Sequence, residues 1–342
     1  MRIGLVGCGR ISKNHFDAIK QFPEDLELAA VCDVVKGRAE SAAREQGTAW
    51  YTDLAEMLAK ENLDILSICT PSGMHPQHGI MAAEAGCHVI SEKPMGITLK
   101  DADALIHACD EHKVELFVVK QNRLNTTMQL LKKAIEKGRF GQIYMVQSNV
   151  FWARPQEYYD QAKWRGTWEF DGGAYMNQAS HYVDALTWLV GNPEYVMAVT
   201  GTLARKIEAE DTGTAIIKFR NGVIGSMSVT MLTYPKNFEG SITVLGEKGT
   251  AKIGGVAVNK IEKWEFQEYD DDDRLVEEAN YSPPNVYGFG HLGYYKNVVS
   301  SLKGEAEAFT DGRSGRKSLE LILAIYKSAQ TGKRVSLPLN LS

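Results

Sequence analysis

Two side chains in this sequence have the types and settings to move a proton and to hold a negative charge. The stretch "DGGAYMNQASHYVD" (171–184) carries Asn177 and His181 four residues apart, a spacing that puts both on one face of a helix. The run continues as "ALTWLVG" to Gly191, so it predicts a helix opening after Gly172-Gly173 and closing at a glycine cap. Most of that helix is apolar. An imidazole and an amide there are either a bonded core pair or working chemistry. Imidazole titrates near neutrality, which suits His181 to general-base work. The second candidate is Lys93 in "SEKP" (91–94), after an apolar strand-like run and before Pro94, whose peptide bond can be cis. In parallel sheets ligands collect at the carboxyl ends of strands, where an ammonium can hold a developing alkoxide. Oxidation of a secondary alcohol needs both functions, and a hydride acceptor besides.

The acceptor is indicated by "GLVGCGRIS" (4–12). Gly7, Gly9 and Ser12 occupy the places of a G-x-G-x-x-G fingerprint, with Ser replacing the third glycine; Arg10 and Ile11 complete the turn. The turn follows the first strand and opens the first helix, so backbone N–H groups and the helix dipole can hold a pyrophosphate. The next strand ends in Asp33, whose carboxylate can accept from both ribose hydroxyls of NAD and would repel the 2′-phosphate of NADP. A helix N-cap is the structural alternative for Asp33. Arg38 is placed to stack on adenine or tolerate a phosphate. No second nucleotide motif argues for flavin.

These residues need a scaffold. Over the first ~120 residues, strand and helix patterns alternate, the signature of a doubly wound parallel sheet. Strands are expected in "RIGLVG", "LELAAVCD", "LDILSICT", "CHVISEKP" and "VELFVVK", with helices at 10–20, 36–46, 74–85 and 99–110. A helix at 125–137 leads into a second domain. There, strand-like runs at 142–152, 194–203, 212–219, 223–232, 239–246, 249–253 and 260–267 with short turns predict a large, mostly antiparallel open sheet. Helices at 286–302 and 315–331 finish the chain. The expected division is an α/β Rossmann domain, 1–122, and an α+β domain for substrate and oligomerisation, 123–342.

The balance of 38 basic against 43 acidic residues, net −5, offers no basic surface for nucleic acid. No apolar run is long enough for a bilayer, and the N-terminus lacks a signal-peptide layout. The five cysteines have no CxxC spacing, which fits a reduced, cytoplasmic protein without a metal site. "YDDDD" (269–273) lacks the positions of a calcium loop and predicts a solvated turn.

Taken together, "GCGRIS", "CTPSGMHPQH", "EKP" and the later histidine helix resemble the Gfo/Idh/MocA oxidoreductase family over essentially the whole chain. That resemblance implies that the EKP lysine and the helix histidine, here Lys93 and His181, meet at the nicotinamide. It also implies that Thr70, Ser72 and His75 border that ring and that Glu92 and Gln121 are further cofactor neighbours. Sugar and polyol dehydrogenases of the family often have Asp where this chain has Asn177, and Asn cannot take a proton. A narrower likeness accommodates it. "FVVKQNRLN", "RPQEYYDQAKWRGTWEFDGGAYMNQASHYVD", "TMLTYPKNFEGSITVLGEKGT", "PPNVYGFGHLGYYKN" and "DGRSGRKSLELI" are similar to the UDP-N-acetyl-2-amino-2-deoxyglucuronate 3-dehydrogenases. These oxidise the C3 hydroxyl of UDP-GlcNAcA to a 3-keto sugar in bacterial surface-polysaccharide (lipopolysaccharide O-antigen) synthesis. In some members 2-oxoglutarate reoxidises the bound NADH.

A UDP-sugar uronate needs local positive charge. Arg154, Lys163 and Arg165 stand among Tyr158, Tyr159, Trp164 and Trp168, and Arg123 is a further candidate; the alternative is an ordinary loop pinned by aromatics. Tyr287 and His291 either line the site or pack. Whether His181 or Lys93 is the base stays open, with Asn177 orienting the ring or bonding the sugar. Competing readings are a dehydrogenase of a free polyol such as myo-inositol and a non-catalytic NAD-binding regulator. An open sheet with an apolar face implies a homo-oligomer, dimer or tetramer.

Overall fold

The structure, a computed structural model, describes residues 1–282 and 290–340. Tyr287 and the start of the expected 286–302 helix lie outside the described residues. The chain divides into two compact units, residues 1–119 with 291–316 and residues 120–290 with 317–342.

The apolar runs of the first unit become β1 (Arg2–Val6), β2 (Glu27–Cys32), β3 (Ala49–Tyr51), β4 (Ile65–Ile68), β5 (His88–Ser91) and β6 (Leu116–Val118). Between them lie α1 (Ser12–Ile19), α2 (Lys36–Gln46), α3 (Leu54–Lys60), α4 (His75–Glu84) and α5 (Leu99–His112). β3 and α3 are additions to the sequence reading; both are short, and β3 is largely exposed, so neither leaves a periodic apolar pattern. The sheet order is β3-β2-β1-β4-β5-β6, and every pairing is parallel. Ile3, Leu5, Val31, Ile65, Leu66 and Val89 are fully buried, which is why these strands read as unbroken apolar runs. The order reverses at β1, between β2 and β4, and such a switch point opens a crevice at the strand ends.

The second unit holds α6 (Thr126–Glu136), β7 (Ile143–Phe151), α7 (Gln156–Asp160), α8 (Ser180–Val190), β8 (Pro193–Gly201), β9 (Thr212–Phe219), β10 (Ile224–Thr230), β11 (Glu239–Gly246), β12 (Gly249–Gly254), β13 (Lys260–Phe266) and α9 (Val276–Ala279). α10 (Gly290–Leu302), α11 (Gly312–Thr331) and β14 (Val335–Ser336) follow. The eight strands run β13-β12-β11-β7-β10-β9-β8-β14, with β7·β10 the one parallel pair among them. Along β9, alternate residues Ala215, Ile217 and Phe219 are buried while Ile216 is exposed, the alternation of a sheet covered on one face.

Three features differ from the sequence reading. Residues 291–316 belong with the first unit: Tyr294, Tyr295 and Val298 are buried, and the Val118 N–H donates to Thr310 O at 2.8 Å. The expected single helix after Gly173 is two pieces, a π-helical turn (Ala174–Gln178) and α8, separated at Ala179. The acidic run is not simply solvated. Asp272 pairs with Lys133 and Lys137 at 2.7 Å each, and Asp273 pairs with Arg139 at 2.6 Å. Opposite charges from α6 and the chain just beyond it supplied a partner that local sequence could not reveal.

Gly7 makes the first turn possible. Its φ is +94°, and a Cβ would lie 2.7 Å from the backbone C and O of Cys69. Gly7→Ala should therefore destabilise the protein by about 1–3 kcal/mol, read as a lower denaturant midpoint. An unchanged midpoint would show that the turn tolerates a side chain.

Candidate active site

In the first unit the glycine loop leads directly into α1. The helix has no side-chain N-cap, so its first N–H groups keep no side-chain acceptor. Gly9 is exposed, and a Cβ there would meet nothing within 4 Å. Ser12, in the third fingerprint position, donates its hydroxyl to Gly9 O at 2.7 Å and ties the loop to the helix. Asp33 is buried at the end of β2. Its Oδ2 accepts from the Cys8 N–H (2.9 Å) and its Oδ1 from the Val35 N–H (2.8 Å). It does not cap α2, whose N-cap residue is Val35 without a side-chain bond. Each Asp33 oxygen retains a further lone pair, so the carboxylate is fixed and can still accept from ribose hydroxyls. Arg10 and Arg38 are exposed beside this loop and on α2, and Ile11 is half-buried. The residues fit a dinucleotide: an uncapped helix start, an open glycine and a rigidly held acid.

Further along the same sheet edge, the Lys93–Pro94 peptide is cis and Lys93 is half-buried. His75, expected beside the nicotinamide, is buried and engaged by the protein. It is 1% exposed, and its ring nitrogens lie 2.7 Å from Pro94 O and 2.7 Å from Thr70 O. Burial pulls its pKa down, against the upward pull of those carbonyls. The ring therefore buckles the Thr70 loop to Pro94. Thr70 Oγ1 meets His78 Nδ1 at 3.1 Å, and Ser72 is buried where that loop turns. Glu92 is buried as well, with its oxygens engaged by His15 (3.1 Å) and by the Lys93 N–H (3.0 Å).

In the second unit, His181 sits in the first turn of α8, 8% exposed, with Gln121 Nε2 3.1 Å from its Nε2. The Ala179 N–H reaches Ala174 O, five residues back, at 2.8 Å. This widened turn breaks the four-residue spacing, so Asn177 and His181 lie on separate helical segments. π turns of this kind gather at functional sites. Asn177 donates to Asp171 Oδ1, and Asp171 Oδ2 accepts from the Gly166 N–H at 2.6 Å.

The basic, aromatic loop is pinned to that turn. Arg154 Nε donates to Gln178 Oε1 (2.9 Å), and Gln178 Nε2 donates to the Tyr158 hydroxyl (3.1 Å). Arg165 lies over the Tyr158 ring and donates to Tyr158 O at 2.6 Å. Lys163 is exposed and Trp164 half-buried. Two of the expected ligand contacts are buried and have protein partners or surroundings of their own. Tyr159 is buried, and burial pushes its phenol up. Arg123 is buried in a two-pronged pair with Asp184, 2.7 Å at Nε and 2.7 Å at the second amine, so its fork is taken up inside the protein. Burial raises the Asp184 carboxyl, but the charges of Arg123 and Lys120 outweigh it and hold the group below the usual range.

Sequence reasoning missed Glu210, which anchors the π turn. Its backbone oxygen accepts from the Ala174 N–H (3.0 Å), and its Oε1 accepts from the Tyr175 N–H (2.9 Å) and the Tyr326 hydroxyl (2.9 Å). The same hydroxyl accepts from the Gly173 and Met176 N–H groups at 3.2 and 3.1 Å. Four N–H groups around the start of the turn are thus capped from distant sequence. The only local signal was an acid pair, Glu210-Asp211, opening an apolar strand.

A switch-point parallel sheet, a glycine loop feeding a helix and an acid closing the second strand define a dinucleotide-dependent oxidoreductase. Residues 1–120 match the oxidoreductase family's NAD-binding Rossmann fold, and residues 132–337 match its C-terminal alpha/beta domain. The chain belongs to the Gfo/Idh/MocA oxidoreductase family. Among solved structures, it is similar to the WlbA dehydrogenase from Bordetella pertussis in complex with NADH and UDP-GlcNAcA. That likeness has 58% identity and a TM-score of 0.97, over 99% of this chain and 98% of the other. The WlbA dehydrogenase from Chromobacterium violaceum, in complex with the same two molecules, is 55% identical with a TM-score of 0.95, over 99% and 96%. The myo-inositol 2-dehydrogenase of Thermotoga maritima is 25% identical over 98% of each chain.

Burial raises the Glu210 carboxyl from its ordinary 4.5 to about 7, against the hydrogen bonds from Tyr175 and Tyr326 and with the nearby Asp171 charge. The folded state then holds this proton more tightly than the unfolded state, so stability falls as pH rises from about 4.5 through about 7. A rise of that size corresponds to about 3 kcal/mol. Glu210→Gln should flatten this loss between pH 5 and pH 8 on thermal unfolding; a variant that keeps the full pH slope would assign it to other groups.

Proposed function

We propose that the protein oxidises the C3 hydroxyl of UDP-N-acetyl-2-amino-2-deoxyglucuronate (UDP-GlcNAcA) to the 3-keto sugar, with NAD as oxidant. The observation that carries this reading is the full-length likeness, at 58% identity, to a dehydrogenase holding NADH and UDP-GlcNAcA. Asn177 supports it too, since a free-polyol dehydrogenase of this family often has a carboxylate there. NAD, held by the glycine loop and Asp33, supplies the hydride acceptor.

His181 takes the hydroxyl proton. Gln121 suits that role, because its amide can offer N–H to an unprotonated ring nitrogen or, turned over, C=O to a protonated one. Lys93 holds the developing alkoxide through its ammonium. The rival assignment makes Lys93 the base. Arg154, Lys163 and Trp164 are proposed to meet the anionic, aromatic parts of the substrate, together with Asn177; Arg123 and Tyr159 are proposed to shape that region from within. Lys163 is the exposed cation of the loop and the group most available to a phosphate or carboxylate.

We place the enzyme in the cytoplasm, making a sugar for bacterial surface polysaccharide. The cysteines are all free, and no helix among the described residues is long and apolar enough to cross a membrane. A dimer or tetramer is proposed, since the outer face of the eight-stranded sheet exposes Met145, Met197, Val199, Ile216 and Ile224. Reoxidation of NADH by 2-oxoglutarate belongs to the same proposal.

Lys93→Ala and His181→Ala should each retain NAD binding and lose turnover by at least ~100-fold; wild-type-like rates in both would remove the catalytic assignment. The substrate is tested by incubating the protein with UDP-GlcNAcA, with and without 2-oxoglutarate, and seeking the 3-keto product by mass spectrometry. Turnover of myo-inositol and none of UDP-GlcNAcA would replace this reading with the polyol one.

A further inference from the structure

Beneath Lys93 lies a buried polar cluster that the reaction itself does not use. Glu92 is 6% exposed, His15 0%, His291 5% and Tyr295 0%, all in the first unit. His15 comes from α1, the helix that opens at the glycine loop; His291 and Tyr295 come from α10; Ser67 comes from β4. Tyr295 OH is 2.8 Å from His15 Nδ1, and Ser67 Oγ is 3.1 Å from the same nitrogen. His15 Nε2 is 3.1 Å from Glu92 Oε1, and His291 Nε2 is 3.7 Å from that oxygen. The other carboxylate oxygen, Oε2, accepts from the backbone N–H of Lys93 at 3.0 Å.

One assignment of protons satisfies this chain. A neutral His15 with its hydrogen on Nε2 donates to Glu92 and accepts at Nδ1 from Tyr295. Burial pushes the Glu92 carboxyl up, but the His15 hydrogen bond and the nearby His291 ring outweigh it and hold the group well below the usual range. Glu92 is therefore a fixed carboxylate whose free direction is spent on the peptide of Lys93. A buried carboxylate that orients a neighbour through one oxygen while the other is locked is the geometry by which a positioning acid acts. The second tie is to α1, whose start receives the dinucleotide phosphates.

We propose that Glu92, His15 and Tyr295 are positioning residues: they fix the backbone of Lys93 and join it to the dinucleotide-holding helix α1. The proposal rests on the reading of Lys93 as catalytic. A displacement of Lys93 by a fraction of an ångström weakens its hold on the alkoxide while leaving sugar recognition intact, so the cost falls on kcat and not on KM.

The test measures NADH formation from UDP-GlcNAcA and NAD, NADH affinity by fluorescence, and thermal unfolding, for His15→Leu, His15→Gln, Glu92→Gln, Tyr295→Phe and Lys93→Ala. His15→Leu and Glu92→Gln should lower kcat by roughly 10- to 100-fold with KM for the sugar nearly unchanged. His15→Gln, which keeps a donor where Nε2 was, should recover most of the rate. The double variant of His15→Leu with Glu92→Gln should be no slower than the worse single one, since both cut the same chain. Tyr295→Phe keeps the ring and should give a smaller fall, a reading that survives even where His15→Leu does not fold. If the variants lose stability but the folded protein turns over normally, or if His15→Gln is no better than His15→Leu, the proposal is overturned. If Lys93→Ala itself turns over normally, it is the catalytic reading that fails.

Discussion

A carboxylate taken out of water must be met by donors or cations, and the candidate residues of each unit are hung on groups of that kind. Glu92 carries the Lys93 peptide, and Asp33 is locked by two backbone N–H groups. Asp171 grips Asn177 and Gly166, Asp184 takes the fork of Arg123, and Glu210 caps the turn that leads to His181. Leaving any of these acids without partners would cost more than a typical surface interaction contributes.

The two units solve this problem differently. In the first, the acids sit at strand ends, where the parallel sheet has just delivered the chain to a crevice. The donors come from the neighbouring turn, as with Cys8 and Val35 around Asp33, or from a helix that crosses behind, as with His15 at Glu92. In the second, the acids sit beneath a break in a helix. A π turn has an unusual run of N–H groups at its start, and Glu210 with Tyr326 meets them from a strand entry and from α11. The N–H groups of the widened turn are met by hydrogen bonds from around it.

Several residues named for ligand contact also hold the protein itself together. His75 joins two loops, Arg123 is neutralised by Asp184, and Tyr159 is buried in the loop it helps to shape. Their types suggested chemistry because a charged or aromatic side chain near a glycine-rich turn has the same composition whether it faces a ligand or the core. Burial separates the two roles, and burial is a property of the folded chain.

By itself, the sequence determined the architecture. Unbroken apolar runs separated by amphipathic stretches demand a parallel sheet covered on both faces, and alternating runs with short turns demand an antiparallel one. The glycine loop and Asp33 stand out because a dinucleotide fingerprint needs a fixed order along a few dozen residues. Tertiary structure alone decided that residues 291–316 return to the first unit, that the acidic run is neutralised from α6 and its flank, that the histidine helix begins as a π turn, and that His15, His291 and Glu92 form one cluster. Each of these depends on partners far apart in the chain, and long-range pairing leaves no periodic trace in the sequence around either partner.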